Sequence, residues 1–195
     1  MHGLLKKSII QYLKSTKELL RHILYYCLYD KESVEVLSLF ESQTMTKYHH
    51  VSVALRYIYI ENYFKNNKKG METYVKAHRN YYRYINRDYD EEKDIQSFNL
   101  LIESFKSNGY DPSSEIYVDN SGNIFNGAHR LALCLYFGID KVTIRRVNRI
   151  VHLFTVDECF KAFSLRGLNK QCEDTYQRMK YNSSRGKKDV SKNNF

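Results

Sequence analysis

The stretch 115–147, EIYVDNSGNIFNGAHRLALCLYFGIDKVTIRRV, carries in one run the patterns of a strand, a turn, a second strand, a helix and a final strand. Ile116, Tyr117 and Val118 form a short apolar strand that ends in the polar turn Asp119–Gly122, and Ile124 and Phe125 resume the extended run. Asn126-Gly127 then opens an apolar helix that runs to Gly138. A helix starting there leaves backbone N–H groups without intrahelical partners, at the end where the peptide dipoles place partial positive charge. Glycine lets a ligand approach that backbone closely, and His129 and Arg130 stand in the first turn as further donors, so phosphate is the natural guest of Asn126, Gly127, Ala128, His129 and Arg130. A plainer alternative has Asn126 capping a core helix while His129 and Arg130 are solvated.

Outward from this centre, Ile95, Phe98, Leu101, Ile102 and Phe105 repeat at helical spacing after Glu91, and Ser107-Asn108-Gly109-Tyr110-Asp111-Pro112 ends that helix. Met71–Ile85 reads as a helix bearing Tyr74, His78, Arg79, Tyr81, Tyr82, Arg83 and Tyr84. Such aromatics suit a tyrosine-rich core first, a small-molecule pocket second and single-stranded nucleic acid third. Arg79 and Arg83, four apart on one face, are the candidate second anion clamp for substrate. Upstream of the turn at 66–70, the alternation of Val51, Val53, Leu55, Tyr57 and Tyr59 over 51–60 predicts a strand. Ser33–Glu41 reads as a helix, and Leu4–Tyr29 as an amphipathic helix with a basic face, suited to packing on the domain or, alternatively, to anionic lipid. Downstream, 141–151 reads as a strand with Arg145, Arg146 and Arg149 as edge charges, followed by short helices at 156–168 and 170–181.

With 195 residues and 43% apolar composition, the chain has enough material for one respectable core. Its net charge of +9 invites a nucleic-acid partner, but 180–195 carries Lys180, Arg185, Lys187, Lys188 and Lys192 against Asp189, five cations less one acid. Nearly half the excess thus sits in a polar tail expected to be disordered and solubilising. Cys27, Cys134, Cys159 and Cys172 form no C-x-x-C pair and have no histidine at zinc spacing, which points away from a metal site or disulfide framework and fits a reducing cytoplasm. No apolar run approaches the length of a membrane span, and no signal-peptide core is evident at the N-terminus. The expected organisation is a helical extension over 1–45, a central domain over 46–155, C-terminal helices over 156–181 and a basic tail over 182–195.

Residues 91–147, with Gly-Ala-His-Arg-Leu-Ala at 127–132 and Gly138 eight residues beyond Arg130, resemble the ParB/sulfiredoxin-like superfamily, whose G-x-H-R or G-E-R-R turn holds nucleotide phosphates. The resemblance implies an α/β (α+β) fold: a small mixed sheet with flanking helices, and here extra helices at both ends. Sulfiredoxins carry a reactive cysteine where Ala128 stands, so sulfinic acid repair is not expected. Partition-type ParB proteins carry glutamate and a second arginine where Ala128 and His129 stand, which points away from a CTP switch. The His-Arg-Leu variant is more similar to ParB-fold small-molecule kinases and to ParB-like proteins of glycan pathways, although many such turns begin with aspartate where Asn126 stands. The resemblance implies an ATP-dependent phosphotransferase acting on a small polar or sugar-type acceptor. ATP or another nucleotide with Mg²⁺ would be the cofactor, and few protein carboxylates are then needed. Glu103, on the preceding helix, is the first candidate for base or metal carboxylate and Asp119 the second. An exposed helix face for Glu103 and turn formation for Asp119 are the structural alternatives. A nucleic-acid-binding or nuclease-like ParB relative, or a non-catalytic scaffold, are the alternatives in function.

Overall fold

The computed structural model describes residues 31–44, 48–147, 161–163 and 167–190. Strand β1 (Lys31–Glu35) leads into helices α1 (Val36–Thr44), α2 (Tyr48–Phe64), α3 (Lys68–Tyr84) and α4 (Glu91–Asn108). There follow β2 (Ile116–Val118), β3 (Ile124–Asn126), α5 (Ala128–Phe137), β4 (Lys141–Arg146) and α6 (Leu168–Val190). The four strands make one mixed sheet in the order β1-β4-β2-β3, with β4 antiparallel to β1 and parallel to β2, and β2 antiparallel to β3. This is an α+β fold with a small sheet and flanking helices, as expected.

Helix α4 shows how local sequence sets an element. Asp90 caps it by accepting from the Lys93 N–H at 3.1 Å, and Glu91, Glu92 and Asp94 place negative charge at its first turn. Phe98, Ile102 and Phe105 form its buried stripe, and Gly109, at φ 73°, stops it. The β2–β3 turn is held from outside by Gln43 of α1. That side chain is fully buried, donates to the Gly122 carbonyl at 2.7 Å and accepts from the Ile124 N–H at 2.9 Å, so it substitutes for a missing strand at the sheet's edge.

Three expectations are corrected. Residues 51–60 form the middle of α2 rather than a strand, and all ten are buried. With both faces covered there is no polar period to read. A continuous apolar run fits a buried helix as well as a strand, and α2 is enclosed by α1, α3, α5 and α6. Ser33–Glu35 lie in β1, not in a helix, because Glu32, Ser33 and Val34 pair with Ile144, Thr143 and Val142. Residues 31–44 thus supply an outer strand and a helix of the core. Toward the C-terminus, α6 runs unbroken through the boundary drawn at 181 and is helical to Val190, since extending a packed helix avoids the cost of nucleation. The amphipathic helix of Leu4–Tyr29 falls outside the described residues.

Candidate site at the start of helix α5

Gly127 is the N-cap of α5, at φ 110° and ψ 11°, with no side-chain cap bond, so Asn126 ends β3 instead of capping the helix. The glycine is required twice over. Its φ is left-handed, and a Cβ there would meet Ile116 Cγ1 at 3.0 Å. The Gly127 carbonyl accepts the first helical bond, from the Leu131 N–H at 2.9 Å. The N–H groups of Ala128, His129 and Arg130 precede it and have no intrahelical acceptor.

The side chains of Arg130 and His129 face inward. Arg130 donates through Nη1 to the Glu115 carbonyl at 2.6 Å. The Glu115 carboxylate in turn accepts from Arg145 Nε at 2.6 Å and Nη2 at 3.0 Å, and pairs with Lys31. Arg145, expected as an edge charge, is therefore buried as a partner of Glu115, and it holds that carboxyl down at about 2, against the cost of burial. Arg146, by contrast, pairs at the surface with Glu32 of the neighbouring β1. Arg149 falls outside the described residues.

His129 projects between Tyr74 and Phe98, with Nε2 2.9 Å from the Tyr74 hydroxyl and its ring 4.4 Å from that of Phe98. Tyr74 gives its proton to Asp94 Oδ2 at 2.8 Å, so Nε2 of His129 is the protonated nitrogen and donates to Tyr74. Burial, then the charge of Arg56, push the His129 imidazole well below its usual range. The ring is neutral at pH 7, and its Nδ1 is an acceptor rather than the phosphate donor expected. His78 packs on Tyr74 at 4.1 Å and is neutral for the same two reasons. Its Nδ1 lies 3.8 Å from Asp94, too far for a hydrogen bond. Asp94 also accepts from Tyr89 at 2.9 Å, and both tyrosine hydroxyls are pushed up by burial and by that carboxylate.

Arg56, which sequence reasoning missed, belongs to this cluster. It sits on α2, is 9% exposed, and places its guanidinium carbon 5.8 Å from the centre of the Tyr74 ring. Nη1 donates to Ser52 Oγ at 2.5 Å and to the Ser52 carbonyl at 2.9 Å, while the buried Nε has no partner. No carboxylate lies within salt-bridge distance of it among the described residues. An arginine inside an apolar run assigned to a strand gave no reason to place it beside His129.

The remaining candidates stand apart. Asp119 is 4% exposed, and its carboxylate accepts from the N–H groups of Ser121 and Asn123 and from the Asn123 side chain at 2.8–3.0 Å. Those bonds build the turn, the structural role the sequence also allowed for Asp119. Glu103 accepts from Tyr63 at 2.9 Å and lines an open depression of about 680 Å³ along α4 with Glu91, Glu92, Ile95, Asn99 and Leu100. Arg79 is paired with Glu91 at 2.6 Å beside a second depression, of about 360 Å³. Arg83 is exposed near the C-terminus of α3, where the helix dipole favours a cation. The structure does not bring Arg79 and Arg83 to the turn.

Comparison with protein-family models, curated proteins and solved structures finds no match to this chain. Among the described residues no group of three or more His, Cys, Asp or Glu is placed to hold a metal ion, and no helix is long and apolar enough to cross a membrane. The thiols of Cys134 and Cys172 are buried and pushed up to about 12, which keeps both protonated near neutral pH.

Proposed function

We propose that the protein binds the phosphate of a nucleotide at the start of α5, and that phosphoryl transfer from ATP to a small polar or sugar-type acceptor is its reaction. The observation that carries this reading is the left-handed Gly127 cap, packed on Ile116, which opens α5 with the N–H groups of Ala128, His129 and Arg130 free of intrahelical acceptors. Similarity of 127–132 to the ParB/sulfiredoxin-like turn supports the same ligand. The protein donors fit an anion, while Mg²⁺ would arrive on the phosphates with few protein carboxylates, as is usual for that ion. When bound, Mg²⁺-ATP supplies the transferable phosphoryl group. The chain supplies the amides that orient it and the closely packed rings of Phe98 and Tyr74 that limit water around His129. Asn126 is exposed beside the turn and carries no charge, and Glu103, the carboxylate candidate, lies along α4 in its own depression.

A nucleic-acid reading is less well supported, because several basic side chains on the described surface are met by acids. Arg79, Arg146, Arg178 and Lys180 pair with Glu91, Glu32, Glu61 and Glu41 at 2.6–3.0 Å. Calorimetry with ATP, ADP and CTP in Mg²⁺, at low and high salt, tests the choice. Saturable 1:1 binding of nucleotide with weak salt dependence is expected, whereas steeply salt-dependent binding of duplex without nucleotide binding points to the nucleic-acid reading.

A further inference from the structure

Buried arginine is costly unless its charge is met, and among the described residues no carboxylate pairs with Arg56. Ser52 satisfies one nitrogen, the Tyr74 ring face takes part of the cation, and Nε is left without an acceptor. Arg56 is directed toward the same ring system that carries His129, the second residue of α5. Two independent features, helix amides without intrahelical acceptors and a buried cation whose Nε lacks a partner, are thus linked through Tyr74, whose hydroxyl meets His129 and whose ring meets Arg56.

We propose that Arg56 is the charged ligand of the phosphoryl group bound at the start of α5, and that the anion brings a proton with it onto His129. This rests on the phosphate-binding reading above and assigns it a residue and a pH dependence. The groups around His129 are Arg56 from α2, Tyr74 and His78 from α3, Asp94 from α4 through Tyr74, and Arg130 from α5 itself, with Tyr89 of the α3–α4 connection behind them on His78 and Asp94. Of these, Asp94 alone is anionic, and it is engaged by Tyr74 and Tyr89. A phosphoryl oxygen would supply the missing acceptor for Arg56 Nε. Its negative charge would offset the Arg56 field that now disfavours imidazolium. His129 then takes a proton from solvent at Nδ1, its free nitrogen, while Nε2–H stays on Tyr74.

The test uses the full chain with inorganic phosphate and ATP as probes. Calorimetry is run in two buffers of different ionisation heat, and the histidine resonances are followed by NMR. Wild type is expected to bind with net proton uptake at pH 7 and with the His129 titration moved to higher pH. Arg56→Met is expected to melt no lower than wild type, because it removes an unpaired buried charge, yet to bind at least tenfold more weakly. If Arg56→Met does not fold, the wild-type proton count and the His129 titration decide alone. Binding within twofold of wild type by Arg56→Met, or binding without proton uptake, overturns this inference and leaves the nucleotide reading standing. No binding of either probe by wild type overturns both.

Discussion

Arg130 reaches backward to Glu115: its Nη1 donates to that residue's carbonyl oxygen at 2.6 Å across fifteen positions of chain. The arginine that from sequence resembles a phosphate ligand is thereby committed to fastening α5 onto the approach to β2. Replacing Arg130 with alanine is expected to cost about 1–3 kcal/mol, the worth of a hydrogen bond from a charged donor. Nucleotide affinity should change by less than about threefold, since Arg56 and the amides remain. Urea unfolding and calorimetry on the same variant separate the two effects. A stable Arg130→Ala protein that has lost nucleotide binding would return this side chain to the ligand set.

Glu115 gives the fold an acid limb. Its folded value of about 2 lies below the ordinary 4.5, so its contribution is present in full above pH 4.5 and is lost as pH falls toward 2. The shift corresponds to about 3 kcal/mol at most. Wild type should lose urea stability steeply over that interval. Glu115→Gln should be destabilised at pH 7, because it leaves Arg145 buried without its anion, and should show a flatter acid limb.

His78 and His129 set a second, higher limb. Both are neutral in the fold and charge more readily when unfolded, so below about pH 6.5 the unfolded chain binds more protons and stability falls with falling pH. Thermal melts between pH 7.5 and 5.5 in anion-poor buffer should show the decline. A double His78→Gln/His129→Gln variant that retained the full slope would count against this origin.

Tyr74→Phe breaks the chain of bonds from Asp94 to His129 and leaves the Nε2–H without its acceptor. A loss of about 1–3 kcal/mol is expected, together with a change in the His129 tautomer visible by nitrogen NMR. An unchanged tautomer would show that something other than Tyr74 holds the ring.

Gly127→Ala combines a left-handed backbone with contact against Ile116 at 3.0–3.2 Å. A cost of about 1–3 kcal/mol is expected. If the amides are the ligand, nucleotide affinity should fall at least tenfold even when Ile116→Val is added to make room for the new methyl.

The order of elements from Glu91 to Arg146 was legible because each switches period cleanly and is closed by its own signal: Asp90 and Gly109 around α4, and Gly127 and Gly138 around α5. Helix α2 was illegible for the opposite reason, since an element buried all round has no polar face to show its period. The turn's location could be read, but the roles of its side chains could not. Whether Arg130 points to solvent or to Glu115, and whether His129 is charged, depends on neighbours brought by β2, α2 and α3 from distant sequence. Arg56 was invisible as a ligand for the same reason. Its meaning lies in a buried Nε without an acceptor and no paired carboxylate among the described residues, and that is a property of the assembled core.

The burial of ten successive residues in α2 has a kinetic corollary. No amide between Val51 and Ile60 can reach solvent by a fluctuation confined to its own helix, because α3, α5 and α6 all rest on it. Hydrogen exchange there should proceed only through global opening and report the full unfolding free energy. The outer strand β1 should exchange orders of magnitude sooner. Arg56 would then sit in the most slowly exchanging segment of the molecule, a position that holds its guanidinium in place before any anion arrives.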